Sequence, residues 1–99
     1  LYAPISPYPP SKRDLAVAIP LNTQAGLLMA AALEAGGTLL KHIELFDIFT
    51  GAQVGESRKS VGLRLEFQSM ERTLTDADTQ KTFDKIVKRL KTEFEAELR

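Results

Sequence analysis

Apolar residues alternate with polar or small residues from Arg13 to Ile19, until Pro20 interrupts the pattern. The apolar residues of this segment with the same, odd-numbered parity are Leu15, Val17 and Ile19. This period of two predicts a β-strand with that parity buried. The other parity includes Ala16 and Ala18, whose small side chains leave room for a ligand to approach the sheet.

A run of good helix formers, Gln24–Ala35, predicts the first helix. Asn22 or Thr23 is expected to cap its start, because a short polar side chain can accept a hydrogen bond from the first turn. Gly36 and Gly37 are expected to end it, as glycine does at helix C-termini.

A second strand is predicted from Leu39 to Phe49, but its apolar residues change parity midway. Before the change, the apolar residues are the odd-numbered Ile43 and Leu45. After it, they are the even-numbered Phe46 and Ile48. A bulge or strong twist near Leu45 would reconcile the two halves. With the second pair turned inward, Asp47 and Phe49 are expected to point out of the sheet together.

Glycine and serine residues between Thr50 and Lys59 predict a hairpin loop, which leads into the most regular strand of the chain, Ser60–Gln68. Its inward parity consists of Val61, Leu63, Leu65 and Phe67. Its outward parity consists of Ser60, Gly62, Arg64, Glu66 and Gln68.

Thr75–Asp78 resembles a helix-capping sequence, and an apolar stripe at spacings of three and four follows it. The stripe consists of Phe83, Ile86, Val87, Leu90 and Phe94. Ala96–Arg99 is expected to add a short edge strand. The order β-α-β-β-α-β predicts an α+β, ferredoxin-like fold, in which both helices cover one face of a four-stranded antiparallel sheet and leave the other face open.

Composition indicates one small globular domain of 99 residues, 43% apolar and 26% charged. Thirteen basic residues balance thirteen acidic ones, so binding of nucleic acid through bulk charge is not expected. The chain has no cysteine and no apolar run of the roughly 20 residues that a membrane span needs. Residues 1–11 are rich in proline, which predicts an extended lead-in to a domain at 12–99. We expect a cytoplasmic piece of a longer protein, without membrane contact.

The sequence argues against catalysis and favours binding on the open face. His42 is the only histidine, and neither a phosphate-binding glycine loop nor a nucleophile elbow is present. The open face would display Ala16, Ala18, Asp47, Phe49, Ser60, Gly62 and Arg64. An exposed ring can stack on an unpaired base, and a carboxylate can accept a hydrogen bond from guanine. Plainer interpretations remain: Phe49 at the rim of the core, and Asp47 paired with a nearby basic residue.

Several short motifs together resemble the ferredoxin-fold anticodon-binding domain that closes the β subunit of bacterial phenylalanyl-tRNA synthetase. In chain order the motifs are Pro9-Pro10, Arg13-Asp14-Leu15, Leu45-Phe46-Asp47-Ile48-Phe49 with Gly51, Lys59-Ser60, Arg72-Thr73-Leu74-Thr75-Asp76 and Leu98-Arg99. Their order and spacing carry the resemblance, which covers Tyr8 to Arg99. An organellar single-chain synthetase carries a related domain.

The resemblance implies that the open face binds the anticodon stem-loop of phenylalanine tRNA. The candidate RNA-binding residues are Ala16, Asp47, Phe49, Ser60, Arg13 and Arg64. By motif position, Asp47 would accept a hydrogen bond from the first anticodon base, Phe49 would stack on it and Ser60 would hydrogen-bond. Ala16 would provide clearance. Phe49 stands where the family often has tyrosine. Arg13 either meets RNA phosphates or pairs with an aspartate at the sheet end.

The resemblance also implies that this domain holds no catalytic residue, metal or cofactor. Phenylalanine activation with ATP and magnesium would occur in a catalytic α subunit, which is a partner together with the rest of the β subunit. The alternative function is an assembly module that docks on a larger protein through the proline-rich arm and the first helix, with Met29 and Leu33 in contact. That helix has a second explanation, since its alanines would let it pack closely on the sheet.

Overall fold

A computed structural model describes residues 8–51 and 55–98 of the chain. Its elements are β1 (Ser11–Pro20), α1 (Ala25–Gly36), a 3-10 turn (Gly37–Leu39), β2 (Leu40–Gly51), β3 (Gly55–Phe67), α2 (Asp76–Phe94) and β4 (Glu97–Leu98). Most of the predicted lead-in, residues 1–7, lies outside the described residues. Its end is tied to the sheet, because the Gln68 side chain donates to the Tyr8 carbonyl at 2.6 Å.

The four strands form one antiparallel sheet in the order β2-β3-β1-β4. The sequence-based prediction of a ferredoxin-like α+β fold is therefore confirmed. Register aligns Leu15 with Leu63 and Val17 with Val61 on one face of the sheet. The same buried cluster includes Leu28, Ala31 and Ala32 of α1 and Ile86, Val87 and Leu90 of α2. Both helices thus cover this core face and leave the opposite, open face without a helix layer.

The end of α1 follows the prediction, whereas its start does not. Gly37 has φ +61° and its N–H donates to the carbonyls of Leu33 and Glu34, so glycine ends the helix as expected. The N-cap is Gln24, without a side-chain capping bond, so the prediction of Asn22 or Thr23 as the cap is wrong. The reason is a turn before the helix, in which the Thr23 N–H donates to the Pro20 carbonyl at 3.0 Å.

The predicted cap of α2 is confirmed. Thr75 accepts a hydrogen bond from the Asp78 N–H at 3.1 Å, and the Asp78 carboxylate accepts from the Thr75 N–H at 3.0 Å. The predicted apolar stripe faces the sheet, with Ile86 and Leu90 fully buried. Helix α2 therefore has a fixed start and a single apolar side, which together set its position on the sheet.

The β2–β3 hairpin has longer strands and a shorter loop than the sequence predicts. The segment Thr50–Lys59 was expected to be a loop, but β2 continues to Gly51 and β3 begins at Gly55. Pairing with β1 explains the extension, because Lys59 pairs with Ile19 and Arg58 with Pro20. The predicted C-terminal strand begins at Glu97 instead of Ala96 and includes Leu98, and its predicted last residue, Arg99, lies outside the described residues.

Candidate nucleic-acid interface

Register brings four of the predicted site residues together on the open face. Ala16, Gly62 and Asp47 are aligned across three strands, and this row is called the Gly62 row. Ala18, Ser60 and Phe49 form the next row, called the Ser60 row. Residues aligned across antiparallel strands project from the same face of the sheet. The four residues Ala16, Asp47, Phe49 and Ser60 therefore share the open face, as predicted, and they lie there in two adjacent rows.

The predicted bulge near Leu45 is confirmed, and it positions this part of β2. Leu45 pairs with Leu63 and Asp47 pairs with Gly62, so Phe46 is an extra residue opposite β3. At a bulge, two neighbouring residues oppose a single residue of the partner strand. The open-face placement of Asp47 follows from this irregularity, which the change of parity in the sequence had signalled.

Phe46 was predicted to point inward, and this prediction is wrong. A Cβ built on Gly62 would lie 2.9 Å from Cζ of the Phe46 ring, so the ring lies over Gly62 on the open face. The Arg64 guanidinium lies 4.9 Å from the ring centroid on that face. The bulge explains the error, because it lets Phe46 share the open side with Asp47. The predicted inward position of Ile48 matches its pairing with Val61, although Ile48 on the edge strand remains 45% exposed.

The residues of the two rows differ in how accessible they are. Ala16 and Asp47 are exposed, and the Phe49 ring is 40% exposed. Ser60, in contrast, is only 3% exposed. Of the four predicted site residues in these rows, the accessible groups are therefore an aromatic ring, a carboxylate and a small methyl side chain, whereas Ser60 is buried next to Phe49.

Charges on the open face favour contact with bases over contact with phosphates. Arg64 Nε donates to the Asp14 carboxylate at 3.0 Å, and this bond raises the pKa of Arg64. Lys12 Nζ lies 3.7 Å from Glu66. By register, the described residues of the face include five carboxylates and three cationic side chains: Asp14, Glu44, Asp47, Glu66 and Glu97 against Lys12, Arg58 and Arg64. Carboxylates accept hydrogen bonds from base amino groups but repel phosphates.

Arg13 lies on the other side of the sheet from the remaining candidate residues. Its Nη1 donates to Gln80 Oε1 at 2.8 Å, and its guanidinium lies 5.9 Å from the Phe83 ring centroid. Both partners belong to α2, so Arg13 fastens the core-face end of β1 to that helix. The structure therefore does not bring Arg13 to the open face, in contrast to Arg64.

Within residues 8–51 and 55–98, no three metal-ligating side chains come together. His42 is exposed on edge strand β2. Neither helix in the described part of the chain has the length and apolar character needed to cross a membrane.

The chain is similar to one protein family and to one kind of enzyme subunit. The model of the family described as "Ferredoxin-fold anticodon binding domain" matches residues 6–99. Among curated relatives, the phenylalanine–tRNA ligase beta subunit of Listeria monocytogenes serotype 4b is 41% identical over the whole chain. The subunits of the same name from Synechococcus sp. (strain CC9902) and Vibrio parahaemolyticus are also 41% identical, over 100% and 96% of this chain. The chain spans 12% of the length of each of these relatives.

Proposed function

Because the chain belongs to the ferredoxin-fold anticodon-binding domain family, we propose that it binds the anticodon stem-loop of phenylalanine tRNA on its open sheet face. The observation that carries the proposal is the convergence of Ala16, Asp47 and Phe49 as accessible groups in two adjacent rows. A ring for stacking beside an acceptor for a base edge suits an unpaired base.

Each accessible group has a distinct role in the proposed complex. The Phe49 ring stacks on the first anticodon base. The Asp47 carboxylate accepts hydrogen bonds from the guanine amino and imino groups, which are donors on its Watson–Crick edge. Ala16, with a methyl group alone, lets the base approach the sheet. Ser60 shapes the floor of the site, and its hydroxyl reaches the RNA only when the groups that bury it move aside.

The relatives support a proposal for the larger protein in which this binding takes place. They are beta subunits of phenylalanine–tRNA ligase, and this chain matches about an eighth of their length. We propose that the chain works as the anticodon-binding part of such a subunit in the cytoplasm. Its partners would be tRNA, the rest of the beta subunit and an alpha subunit. Attachment of phenylalanine with ATP and magnesium would then take place outside this chain.

Substitutions on the open face test the proposal. Phe49→Ala and Asp47→Asn are expected to weaken binding of the anticodon stem-loop by about five- to 100-fold, because each removes a contact with a base. The affinity is measured by fluorescence anisotropy with labelled RNA. Glu71→Gln is the matched control for charge, since Glu71 is exposed on the connection between β3 and α2. Unchanged affinity in both open-face variants would refute the assignment of the site.

The exposed side of α1 favours a second candidate function, docking on a larger protein. Leu27 is 58% exposed and Leu33 is 41% exposed, whereas Met29 is partly buried against the core. The predicted contact through Leu33 therefore remains available, while Met29 is committed largely to the fold. An exposed apolar strip on one helix is typical of a protein–protein contact.

Leu27→Glu tests this docking function without disturbing the core. The variant is expected to bind the remainder of its parent protein at least tenfold more weakly, since it places a charge in an apolar contact. Co-purification and a binding titration with that remainder measure the effect. Gln24→Glu, at an exposed position next to α1, controls for added charge. Equal binding by Leu27→Glu and the parent chain would exclude α1 as the docking surface.

A further inference from the structure

The open face carries a second aromatic group beside Phe49. It consists of the Phe46 ring and the Arg64 guanidinium, whose carbon lies 4.9 Å from the ring centroid. This pair is called the Phe46–Arg64 platform. We infer that the platform binds a second unpaired base, so that the sheet accommodates two successive nucleotides of the same RNA. The inference rests on the proposed function and extends it to a further binding group.

Three strands hold the platform in one orientation. The β2 bulge projects Phe46 towards β3, where its ring lies over Gly62. Arg64, two residues further along β3, extends over the ring. Asp14 of β1 accepts a hydrogen bond from Arg64 Nε at 3.0 Å and so fixes the guanidinium. The platform is therefore formed before any ligand arrives, which reduces the entropy lost on binding.

Gly62 explains how the ring reaches this position, but it does not explain the exposure of the ring. A side chain at position 62 would meet the ring at 2.9 Å, so glycine is what admits Phe46 to the face. The ring then covers backbone that would otherwise contact water. Even so, Phe46 remains 45% exposed. Phe46 and Arg64 thus present an aromatic ring and a planar cation to solvent, the two kinds of group on which unpaired bases stack.

The spacing between the two aromatic groups suits adjacent nucleotides. Phe49 belongs to the Ser60 row, whereas the Phe46 ring lies on the Gly62 row. These rows are two residues apart along β3, which corresponds to about 7 Å. Sheets that bind single-stranded RNA commonly stack two or three bases on neighbouring aromatic groups. A nucleotide stacked on Phe49 therefore places its neighbour within reach of the platform.

The charges around the platform select a base over a phosphate. Glu44 and Asp14 both pair in register with Arg64, and Asp47 pairs with Gly62 beneath the ring. Two carboxylates beside one guanidinium, Asp14 and Glu44, leave little net positive potential for a phosphate group. They do offer acceptors to the amino groups of a stacked base. The sugar–phosphate backbone would accordingly pass along the outer side of the bases.

The test combines side-chain variants with RNA that lacks single bases. Phe46→Leu keeps an apolar side chain over Gly62 but removes the ring, and Phe46→Tyr keeps the ring. Ile48→Ala is the matched control, because Ile48 is equally exposed but pairs with the core-face residue Val61. The probes are the phenylalanine tRNA anticodon stem-loop and versions with one abasic nucleotide at each anticodon position in turn. NMR spectra establish that every variant of the 99-residue chain is folded.

The platform predicts a specific pattern of affinities. Phe46→Leu should bind the intact RNA about tenfold more weakly, while Phe46→Tyr and Ile48→Ala stay within about twofold of the parent. Arg64→Lys, which keeps the charge but loses the planar group, should weaken binding roughly threefold. One abasic RNA should abolish the effect of Phe46→Leu, and the RNA abasic at a neighbouring position should abolish that of Phe49→Leu.

Two results would overturn the inference while leaving the proposed function in place. One is normal binding of the intact RNA by Phe46→Leu when Phe49→Leu binds weakly. The other is a loss in Phe46→Leu that is equally large with every abasic RNA, because the ring would then support the fold instead of a base. If the parent chain binds the intact stem-loop no better than a scrambled one, the proposed function fails and the platform fails with it.

Discussion

The Asp78 carboxylate connects the loop before α2 to the first turn of that helix. It accepts hydrogen bonds from the Arg72 guanidinium and from the Thr75 N–H, while the Asp78 N–H donates to the Thr75 hydroxyl. The bond from Arg72 is the main reason that the pKa of Asp78 lies well below its ordinary value, and the bonds with Thr75 add to it. The contact with Asp78 gives Arg72 a structural role, because its guanidinium anchors the loop before α2 to the helix.

Asp78→Asn is expected to destabilise the protein in a pH-dependent way. The folded state lowers the pKa of Asp78, so its stabilising effect is complete above the ordinary value near 3.8 and is lost as the pH falls below it. The thermal midpoint of the variant should therefore lie below that of the parent at pH 7, and the two should converge towards pH 2. Thermal unfolding followed by circular dichroism at several pH values measures this difference.

Asp76→Asn is the control for this prediction, since it removes a carboxylate from the same helical turn. Within the described part of the chain, the Asp76 side chain has no hydrogen bond or ion pair, so its replacement should have the smaller effect. An equal loss of thermal stability in both variants would show that general helix-end charge, and not the Asp78 bonds, stabilises α2.

At the scale of elements, α1 depends on small residues to approach the sheet. Ala31 and Ala32 are buried, and Gly36 lies directly against the side chain of Leu40 at the start of β2. Gly36 itself has ordinary helical backbone angles, with φ −72°. The need for glycine there comes from close packing and not from backbone conformation. Gly26, at the other end of α1, is exposed and has open space around it.

Alanine at these two glycines should change stability in opposite directions. Gly36→Ala is expected to destabilise the fold by about 1–3 kcal/mol, because its methyl group would overlap Leu40. Gly26→Ala is expected to stabilise it by about 0.5–1 kcal/mol, since alanine loses less backbone entropy in a helix. Urea unfolding of both variants measures the difference. A neutral or stabilising Gly36→Ala would contradict the close packing described for α1.

Alternation and helical periodicity predict most of this fold from the sequence. The strands β1 and β3 and the stripe of α2 follow from residues whose neighbours along the chain already show which side is buried. The extent of the hairpin does not, because Arg58 and Lys59 belong to the sheet through pairing with β1. The same holds for Gln24 as the N-cap of α1, since the preceding turn already determines where the helix begins.

The candidate site is predictable in part. The change of parity along β2 indicates a bulge, but only the partner strand determines which neighbouring side chains share the open face. Gly62, small and directly opposite, admits Phe46 there. Arg13 has the same parity as Leu15, which places it on the core side with α2. The burial of Ser60 depends on contacts between strands, which periodicity alone does not describe.

At the scale of the whole molecule, neutral net charge conceals an uneven distribution. The open face carries mostly carboxylates, whereas exposed lysines lie along α2: Lys81, Lys85, Lys88 and Lys91. Arg89 of α2 bonds with Glu34 of α1 and Glu93, which ties the helix layer together. The two layers therefore suit different partners, with bases on the sheet and phosphates or solvent at the lysines.

The proposed function requires the open sheet face, and not the helix layer, to recognise the anticodon. Its most direct test is a chemical-shift titration of the ¹⁵N,¹³C-labelled chain with the anticodon stem-loop of phenylalanine tRNA and with the same stem carrying a scrambled anticodon. We expect shifts centred on Ala16, Asp47, Phe49 and Ser60, larger for the true anticodon. Equal shifts with both RNAs centred on the lysines of α2, or no shifts with either RNA at low salt, would contradict the proposed function.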